Sequence, residues 1–120
     1  MRSRVISLLL FGALITGCAS DPGTKPEEER EAAYSAVRSA DDAGAMDVEP
    51  SIMNTAREKL EAARKLTEEQ RYTEARHLLE EATLDARLAE SRTQTQQVRN
   101  ELGDLQASID SLRRNLENQQ

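Results

Sequence analysis

Aromatic residues are scarce in this chain of 120 residues: they make up 2% of it, and tryptophan is missing altogether. A β-sandwich or barrel of this size normally uses many aromatic and β-branched side chains, so their scarcity disfavours a sheet fold. The single cysteine and the single histidine exclude a Cys/His zinc site and an internal disulfide. A net charge of -6 without a basic patch argues against nucleic acid as the main partner. The length allows one small domain at most.

The first 17 residues indicate a secretory signal peptide. Arg2 and Arg4 form a positive start, and the apolar stretch at 5–15 is too short to span a bilayer stably. Residues 14–18 (LITGC) resemble the bacterial lipobox, an aliphatic residue and small residues followed by cysteine. The resemblance implies cleavage between Gly17 and Cys18 and acylation of the Cys18 thiol, with palmitate among the fatty acids. An ordinary signal peptide followed by an unmodified cysteine is the alternative.

A lipidated Cys18 would fasten the mature chain to a membrane. Several acyl chains on one cysteine anchor a protein stably, because each buried CH₂ contributes about 0.8 kcal/mol and two or more chains are needed. In enteric-type sorting, Asp directly after the cysteine retains a lipoprotein in the inner membrane. Ala19 stands there instead, which implies the periplasmic face of the outer membrane. Residues 18–26 contain two prolines and a glycine and are predicted to form a flexible tether.

From residue 27 to residue 120 the residues that favour helix dominate, which predicts an all-α domain. We expect helices over 27–43, 50–70 and 73–117, joined by a loop at 45–49. Together they would form an antiparallel helical hairpin or three-helix arrangement with a long C-terminal helix. Gly44 is expected to end the first helix, Pro50 to begin the second and Thr73 to cap the third. The polar stretch at 91–97 is a candidate hinge, and the mostly alanine stripes predict a thin core.

The C-terminal part of the long helix carries a heptad pattern. Apolar residues recur there at spacings of 4, 3, 4, 3 and 4, at Val98, Leu102, Leu105, Ile109, Leu112 and Leu116. This pattern predicts a coiled-coil seam over 98–116. The second helix is long enough to cover only the first half of the third, so the seam has no obvious partner within the chain. A solvated or frayed helix end is the alternative to association with a second copy or another protein.

Four segments, in this order, resemble the DUF4398 family of small bacterial envelope lipoproteins. They are AGA at 43–45, AREKLEAA at 56–63, YTEAR at 72–76 and ATLDARLAE at 82–90. The resemblance implies an α-helical hairpin, a location in the envelope and no assigned activity. Some members carry an OmpA-like peptidoglycan-binding domain, so an OmpA-like protein is among the partners that the resemblance suggests.

Residues that could carry chemistry do not form a convincing site. Glu74 and His77 have a spacing used in di-iron bundles, but such a site needs a second copy and further inward carboxylates, and the sequence has no second histidine. The acidic residues Glu80, Glu81 and Asp85 lie on a charged helix and indicate a solvated face. We therefore expect no catalytic residue, no metal and no cofactor, and so not an enzyme.

These observations favour a lipid-anchored envelope protein of structural or interaction type. It would be held to the membrane through Cys18 and would present its hairpin and coiled coil to a second copy or to another envelope protein. The alternative is a periplasmic binding module for a lipid, a peptidoglycan fragment or a small apolar ligand. That alternative needs a roomy pocket lined by Leu60, Leu78 and Leu79.

Overall fold

Four helices and short connections make up residues 23–119, the part of the chain that this computed structural model describes. The helices are α1 (Glu27–Asp42), α2 (Ala45–Val48), α3 (Pro50–Glu68) and α4 (Tyr72–Glu117). No strand occurs among these residues, and the predicted all-α fold with a long C-terminal helix is confirmed. None of the helices in this range combines the length and the apolar character that a bilayer crossing needs.

The first connection differs from the predicted loop at 45–49. Gly44 ends α1 as expected, with a left-handed φ of 81°, but Ala45–Val48 then forms the single turn of α2. Ala45 is fully buried, so its backbone carbonyl needs an internal partner, and the amide of Glu49 donates to it at 2.8 Å. The loop prediction was wrong because the buried Ala45 favours a turn that gives its carbonyl a hydrogen-bond partner within the segment.

The turn between α3 and α4 closes without the predicted side-chain cap. Gln70 adopts a left-handed φ of 62°, and the amide of Arg71 donates to the carbonyl of Leu66 at 2.9 Å. This is the hydrogen-bond pattern of a Schellman motif. Helix α4 then begins at Tyr72, and no side-chain cap hydrogen bond is made there. Thr73 therefore lies inside the helix, and its prediction as the cap was wrong.

Ion pairs and hydrogen bonds between helices define the topology. Glu29 of α1 contacts Arg76 of α4 at 2.6 Å, and Ser39, one turn before the end of α1, donates to Glu90 at 3.0 Å. These contacts advance together along both helices, so α1 and α4 run parallel. The contacts from α3 run the other way, since Lys59 binds Asp85 at 2.7 Å while Glu49, just before α3, binds Arg92 at 3.6 Å. Helix α3 is thus antiparallel to α4, and both α1 and α3 pack on it.

The core between these helices is built mainly from alanine. Among residues 23–119, ten of the fourteen buried hydrophobic residues are alanine, and the largest fully buried hydrophobic side chain is that of Met53. Small side chains let the helices approach closely but bury little apolar area per residue. The predicted thin core is present in the structure.

The polar stretch at 91–97 is continuous helix, so the prediction of a hinge there was wrong. Thr93 is fully buried, and its hydroxyl donates to the carbonyl of Ala89 at 2.9 Å. One turn further on, the side-chain amide of Gln97 donates to the carbonyl of Ala43 at 3.1 Å. Packing against the end of α1 holds this stretch in place. Beyond Gln97 the last 20 residues of α4 extend past the bundle by about 30 Å, at 1.5 Å per residue.

Candidate association surface

The six predicted seam residues lie on the part of α4 that extends past the bundle. All of them are exposed, from 42% for Ile109 to 65% for Leu116. Large apolar side chains at this exposure normally occur singly, whereas here they recur at heptad spacing along one helix. The structure thus brings the six residues into one row and leaves the row uncovered within residues 23–119.

Two further exposed leucines were missed at the sequence level. Leu84 and Leu88 belong to the stretch of α4 that packs in the bundle, yet they are 65% and 44% exposed. They lie 14 residues before Val98 and Leu102, which is two heptads. This spacing was a usable signal in the sequence, because it continues the heptad pattern of the seam towards the N-terminus.

The opposite face of α4 is the one that the bundle buries. Its buried side chains are Ala75, Leu79, Ala82, Thr83, Ala86, Ala89 and Thr93. In an α-helix, residues three, four and seven apart share a face, so these positions form one stripe and the exposed leucines form another. One helix therefore carries an inner face that packs in the bundle and an outer face that the rest of residues 23–119 leaves exposed.

Polar and charged side chains flank the seam. Arg99 and Arg113 border one edge and Glu101 borders the other, and all three are exposed. Some of the remaining polar groups bond along the helix, as where the amide of Gln106 donates to Asp110 at 3.2 Å. An apolar row with charged edges is suited to binding another helix.

A groove of about 300 Å³ opens near the start of α1. It is lined by Lys25, Glu27, Arg30, Tyr34, Leu60, Ala63, Arg64, Thr67, Glu68 and Leu79. Leu60 and Leu79 are two of the three leucines expected around a ligand pocket, while Leu78 is not among the lining residues. Its lining residues come from α1 and α3, from Leu79 of α4 and from Lys25 just before α1, so the groove lies between α1 and α3 where both pack on α4.

The charged groups on the rim of this groove are paired with one another. Glu27 contacts both Lys25 and Arg30 at 2.7 Å, and these two cations lower the pKa of its carboxyl. On the α3 side Arg64 binds Glu61 at 2.7 Å and also binds Glu68. Hydrogen bonding to Glu61 is the main reason that the pKa of the Arg64 guanidinium is raised. The charged side chains on the rim thus form ion pairs with one another, so little unpaired charge is left to bind a charged ligand.

Two acidic residues of α4, Glu81 and Asp85, form ion pairs with α3. Lys59 binds Asp85 at 2.7 Å and Glu81 at 3.0 Å, and these contacts raise the pKa of the Lys59 ammonium. His77 is largely exposed and lies 3.9 Å from Glu80. Within residues 23–119, no group of three or more His, Cys, Asp or Glu side chains is arranged to hold a metal ion.

The proposed lipid site, Gly17 and Cys18, lies outside the described residues. The segment that follows it is described from residue 23 onward, and its end contacts the bundle. Pro26 is buried, and the guanidinium of Arg76 donates to the carbonyl of Thr24 at 3.1 Å. The N-terminal segment therefore meets the bundle beside the α3–α4 turn, at the end opposite to the seam.

These features define a class of protein: a small bundle of helices whose last helix extends as a heptad-patterned rod that is exposed within residues 23–119. Residues 28–105 match the family described as domain of unknown function (DUF4398), and the chain belongs to that family. Residues 106–116, the last part of the seam, lie beyond the matched segment.

A solved structure supports the same assignment. The chain is similar to a DUF4398 family protein from Pseudomonas aeruginosa PAO1, known from a crystal structure. The two are 36% identical, the TM-score is 0.75, and the match covers 81% of this chain and 100% of that one. No curated protein matches the chain.

Proposed function

We propose that this protein is a lipid-anchored bacterial envelope protein of structural or interaction type. It is attached to the periplasmic face of the outer membrane through Cys18 and binds its partner through the seam formed by Val98, Leu102, Leu105, Ile109, Leu112 and Leu116. The observation that carries the proposal is the exposure of this entire heptad row on a helix whose opposite face builds the core. The proposal assigns no catalytic step and no cofactor to the chain.

The positions of the two ends support this arrangement. Thr24 is bonded to Arg76, near the beginning of α4, so a lipid on Cys18 would lie close to that end of the bundle. The seam ends at Leu116, 40 residues further along the same helix, or about 60 Å away at 1.5 Å per residue. An anchor at one end and a binding surface at the other would hold the seam away from the membrane.

The seam is tested by the double substitution Leu105→Asp and Leu112→Asp. Because both side chains are exposed, the variant keeps the helical circular dichroism of the native chain and loses its partner in cells. Photocrosslinking from positions 98–116, with identification of the captured protein, measures the loss. The matched control is Asn100→Asp with Ala107→Asp, which adds two charges on the other face of the same stretch. Equal crosslinking by both variants would reject the seam.

The anchor is tested separately by Cys18→Ser. We expect the native chain to carry fatty acyl groups in mass spectrometry and to partition with membranes. The Cys18→Ser variant is expected to remain unacylated and uncleaved. Native protein that lacks acyl chains would remove the anchor from the proposal and leave the seam to be judged by its own experiment.

The groove beside Tyr34 favours a second candidate function, the binding of a small apolar ligand. Its volume of about 300 Å³ is at the lower limit of typical ligand sites, and its rim charges are already paired. We therefore rank it below association. Saturable binding of an apolar fluorescent dye that Tyr34→Ala weakens and Tyr72→Ala does not would support it, and a dye signal insensitive to Tyr34→Ala would oppose it.

A further inference from the structure

The exposed leucines in the bundle portion of α4 continue the heptad register of the seam. Counting by sevens from Leu84 gives positions 91, 98, 105 and 112, and counting from Leu88 gives 95, 102, 109 and 116. Eight of these ten positions hold exposed large apolar residues, and the other two hold Ser91 and Thr95. The combined row spans 33 residues, or about 50 Å of helix at 1.5 Å per residue.

We propose that this row, from Leu84 to Leu116, pairs with the same row of a second copy of this chain in a parallel, in-register coiled coil. The proposal rests on the seam put forward above and adds the partner, its orientation and the contribution of Leu84 and Leu88. The bundle does not obstruct the pairing, because it covers the opposite face of α4. A left-handed supercoil keeps a seven-residue repeat in contact over this length.

Ser91 and Thr95 form two adjacent polar layers in the row, and Ser91 argues for the parallel register. In a parallel pair these residues face their own equivalents, and the hydroxyl groups of one layer lie together. In the antiparallel pair that overlaps the whole row, Ser91 faces Ile109 and Thr95 faces Leu105. That arrangement buries the Ser91 hydroxyl against an apolar side chain, which is unfavourable unless it finds another hydrogen bond. The Thr95 hydroxyl carries no such cost in either orientation, because it donates to the carbonyl of Ser91 at 2.8 Å. A single polar layer commonly sets register and orientation in coiled coils.

The charges beside the C-terminal half favour the same orientation. If only residues 98–116 overlap in an antiparallel pair, Arg99 of each copy lies beside Arg113 of the other. The pair then contains two contacts between like charges. In the parallel register, a residue on one edge of the first helix lies beside a residue on the opposite edge of the second helix, and their residue numbers differ by five. Arg99 then lies beside Gln94, Glu101 beside Gln106 and Arg113 beside Ser108. None of these pairs brings like charges together.

The N-terminal half of the row pairs less favourably. The parallel register places Arg87 beside Arg92 of the second copy, and Glu80 beside Asp85. Arg92 is 3.6 Å from Glu49, and Asp85 is 2.7 Å from Lys59, so each has an opposite charge within its own chain that reduces the repulsion. We therefore expect Leu84 and Leu88 to strengthen a dimer that the C-terminal half nucleates.

Disulfide trapping tests the orientation in the full chain carrying Cys18→Ser, where an introduced cysteine is the only thiol. Leu88→Cys and Leu112→Cys are prepared separately, mixed in equal amounts, allowed to exchange and oxidised. The parallel register predicts that each variant links to itself and that the mixed product is minor. A predominant mixed product would overturn the parallel register. Asn100→Cys, on the other face of α4, is the control and is expected to link poorly.

Sedimentation of the same chain tests the extent of the row. Leu105→Asp with Leu112→Asp is expected to give monomers, and Leu84→Asp with Leu88→Asp is expected to raise the dissociation constant of the dimer roughly tenfold or more. Asn100→Asp with Ala107→Asp is expected to change it little. If the Leu84 and Leu88 variant matches the native chain while the Leu105 and Leu112 variant is monomeric, the extension is overturned and the seam stands.

Sedimentation and crosslinking of the native chain show whether its partner is a second copy or a different protein. A chain that sediments as a monomer at its highest attainable concentration, while crosslinking from 98–116 captures a different protein in cells, overturns pairing with a second copy and leaves the proposed function intact. Crosslinking that captures nothing from these positions overturns the proposed function itself. Circular dichroism confirms in each case that the substituted chain is folded.

Discussion

Met53 has an unusual role for a methionine in this core. It is fully buried on α3, in a core where its buried neighbours are mostly alanine. An unbranched, flexible side chain fills the irregular space that small residues leave between three helices. Few other side chains in the described chain contribute as much buried apolar volume, so the stability of the bundle depends strongly on this one.

We expect Met53→Ala to lower the free energy of unfolding by about 2–5 kcal/mol, because it removes buried apolar area and leaves a cavity. Urea denaturation followed by circular dichroism measures the change. Met46→Ala is the matched control, since Met46 is only partly buried against the same cluster and is expected to lose less. A loss below about 1 kcal/mol for Met53→Ala would show that the core collapses around the deletion.

Thr93 shows at the same scale why a polar stretch can remain helical. Its hydroxyl bonds to the carbonyl of Ala89 within its own helix, so the buried oxygen has a partner without help from another element. Thr83 does the same with the carbonyl of Leu79 at 2.8 Å. A threonine satisfied in this way can occupy a core position, which is why polarity alone was a poor guide to residues 91–97.

Among the secondary-structure elements, some helix ends are easier to predict from the sequence than others. Gly44 and Gln70 both adopt a left-handed backbone after a helix. Glycine does this without steric cost, so the end of α1 was predicted correctly. Glutamine has no such preference, and the chain adopts the strained conformation because the turn must bring α4 back along α3.

We expect Gln70→Gly to raise the free energy of unfolding by up to about 1 kcal/mol, because glycine relieves the left-handed strain at the end of α3. Thermal unfolding followed by circular dichroism measures it. Gly44→Ala is the comparison and is expected to lower the free energy by a similar amount, about 1 kcal/mol. No atom lies within 4 Å of the added methyl group, so that loss would report the backbone alone. Equal or lower stability for Gln70→Gly would contradict the assignment of strain.

At the scale of the whole molecule, ion pairs connect helices that share a small apolar interface. Glu29 joins α1 to α4 through Arg76 at 2.6 Å. A hydrogen bond from its own backbone amide, and then the Arg76 guanidinium, lower the pKa of the Glu29 carboxyl. Because the folded pKa is below the unfolded value of about 4.3, this stabilisation is present above that pH and is lost as the pH falls through the folded pKa.

We therefore expect Glu29→Gln to lower the thermal midpoint at neutral pH and to match the native chain only at acidic pH below the lowered folded pKa, where the carboxyl is protonated in both states. Melting curves collected from neutral to acidic pH measure the difference. Glu28→Gln is the control, because it removes the same charge from the first turn of α1 at an exposed position. A difference between Glu29→Gln and the native chain that does not change with pH would exclude the ion pair as its cause.

The sequence is enough to predict that the chain is helical, where most helices begin and end, that alanine stripes make a thin core and that a heptad row begins at residue 98. These features are local, because helix propensity, proline and glycine positions and the spacing of apolar residues act within a few turns of the chain. The other features depend on how the helices pack together. Packing against neighbouring segments keeps residues 91–97 straight and gives 45–49 its helical turn. It also leaves Leu84 and Leu88 on the exposed face of α4. A leucine near an alanine stripe looks the same in the sequence whether the neighbouring helix covers it or passes behind it.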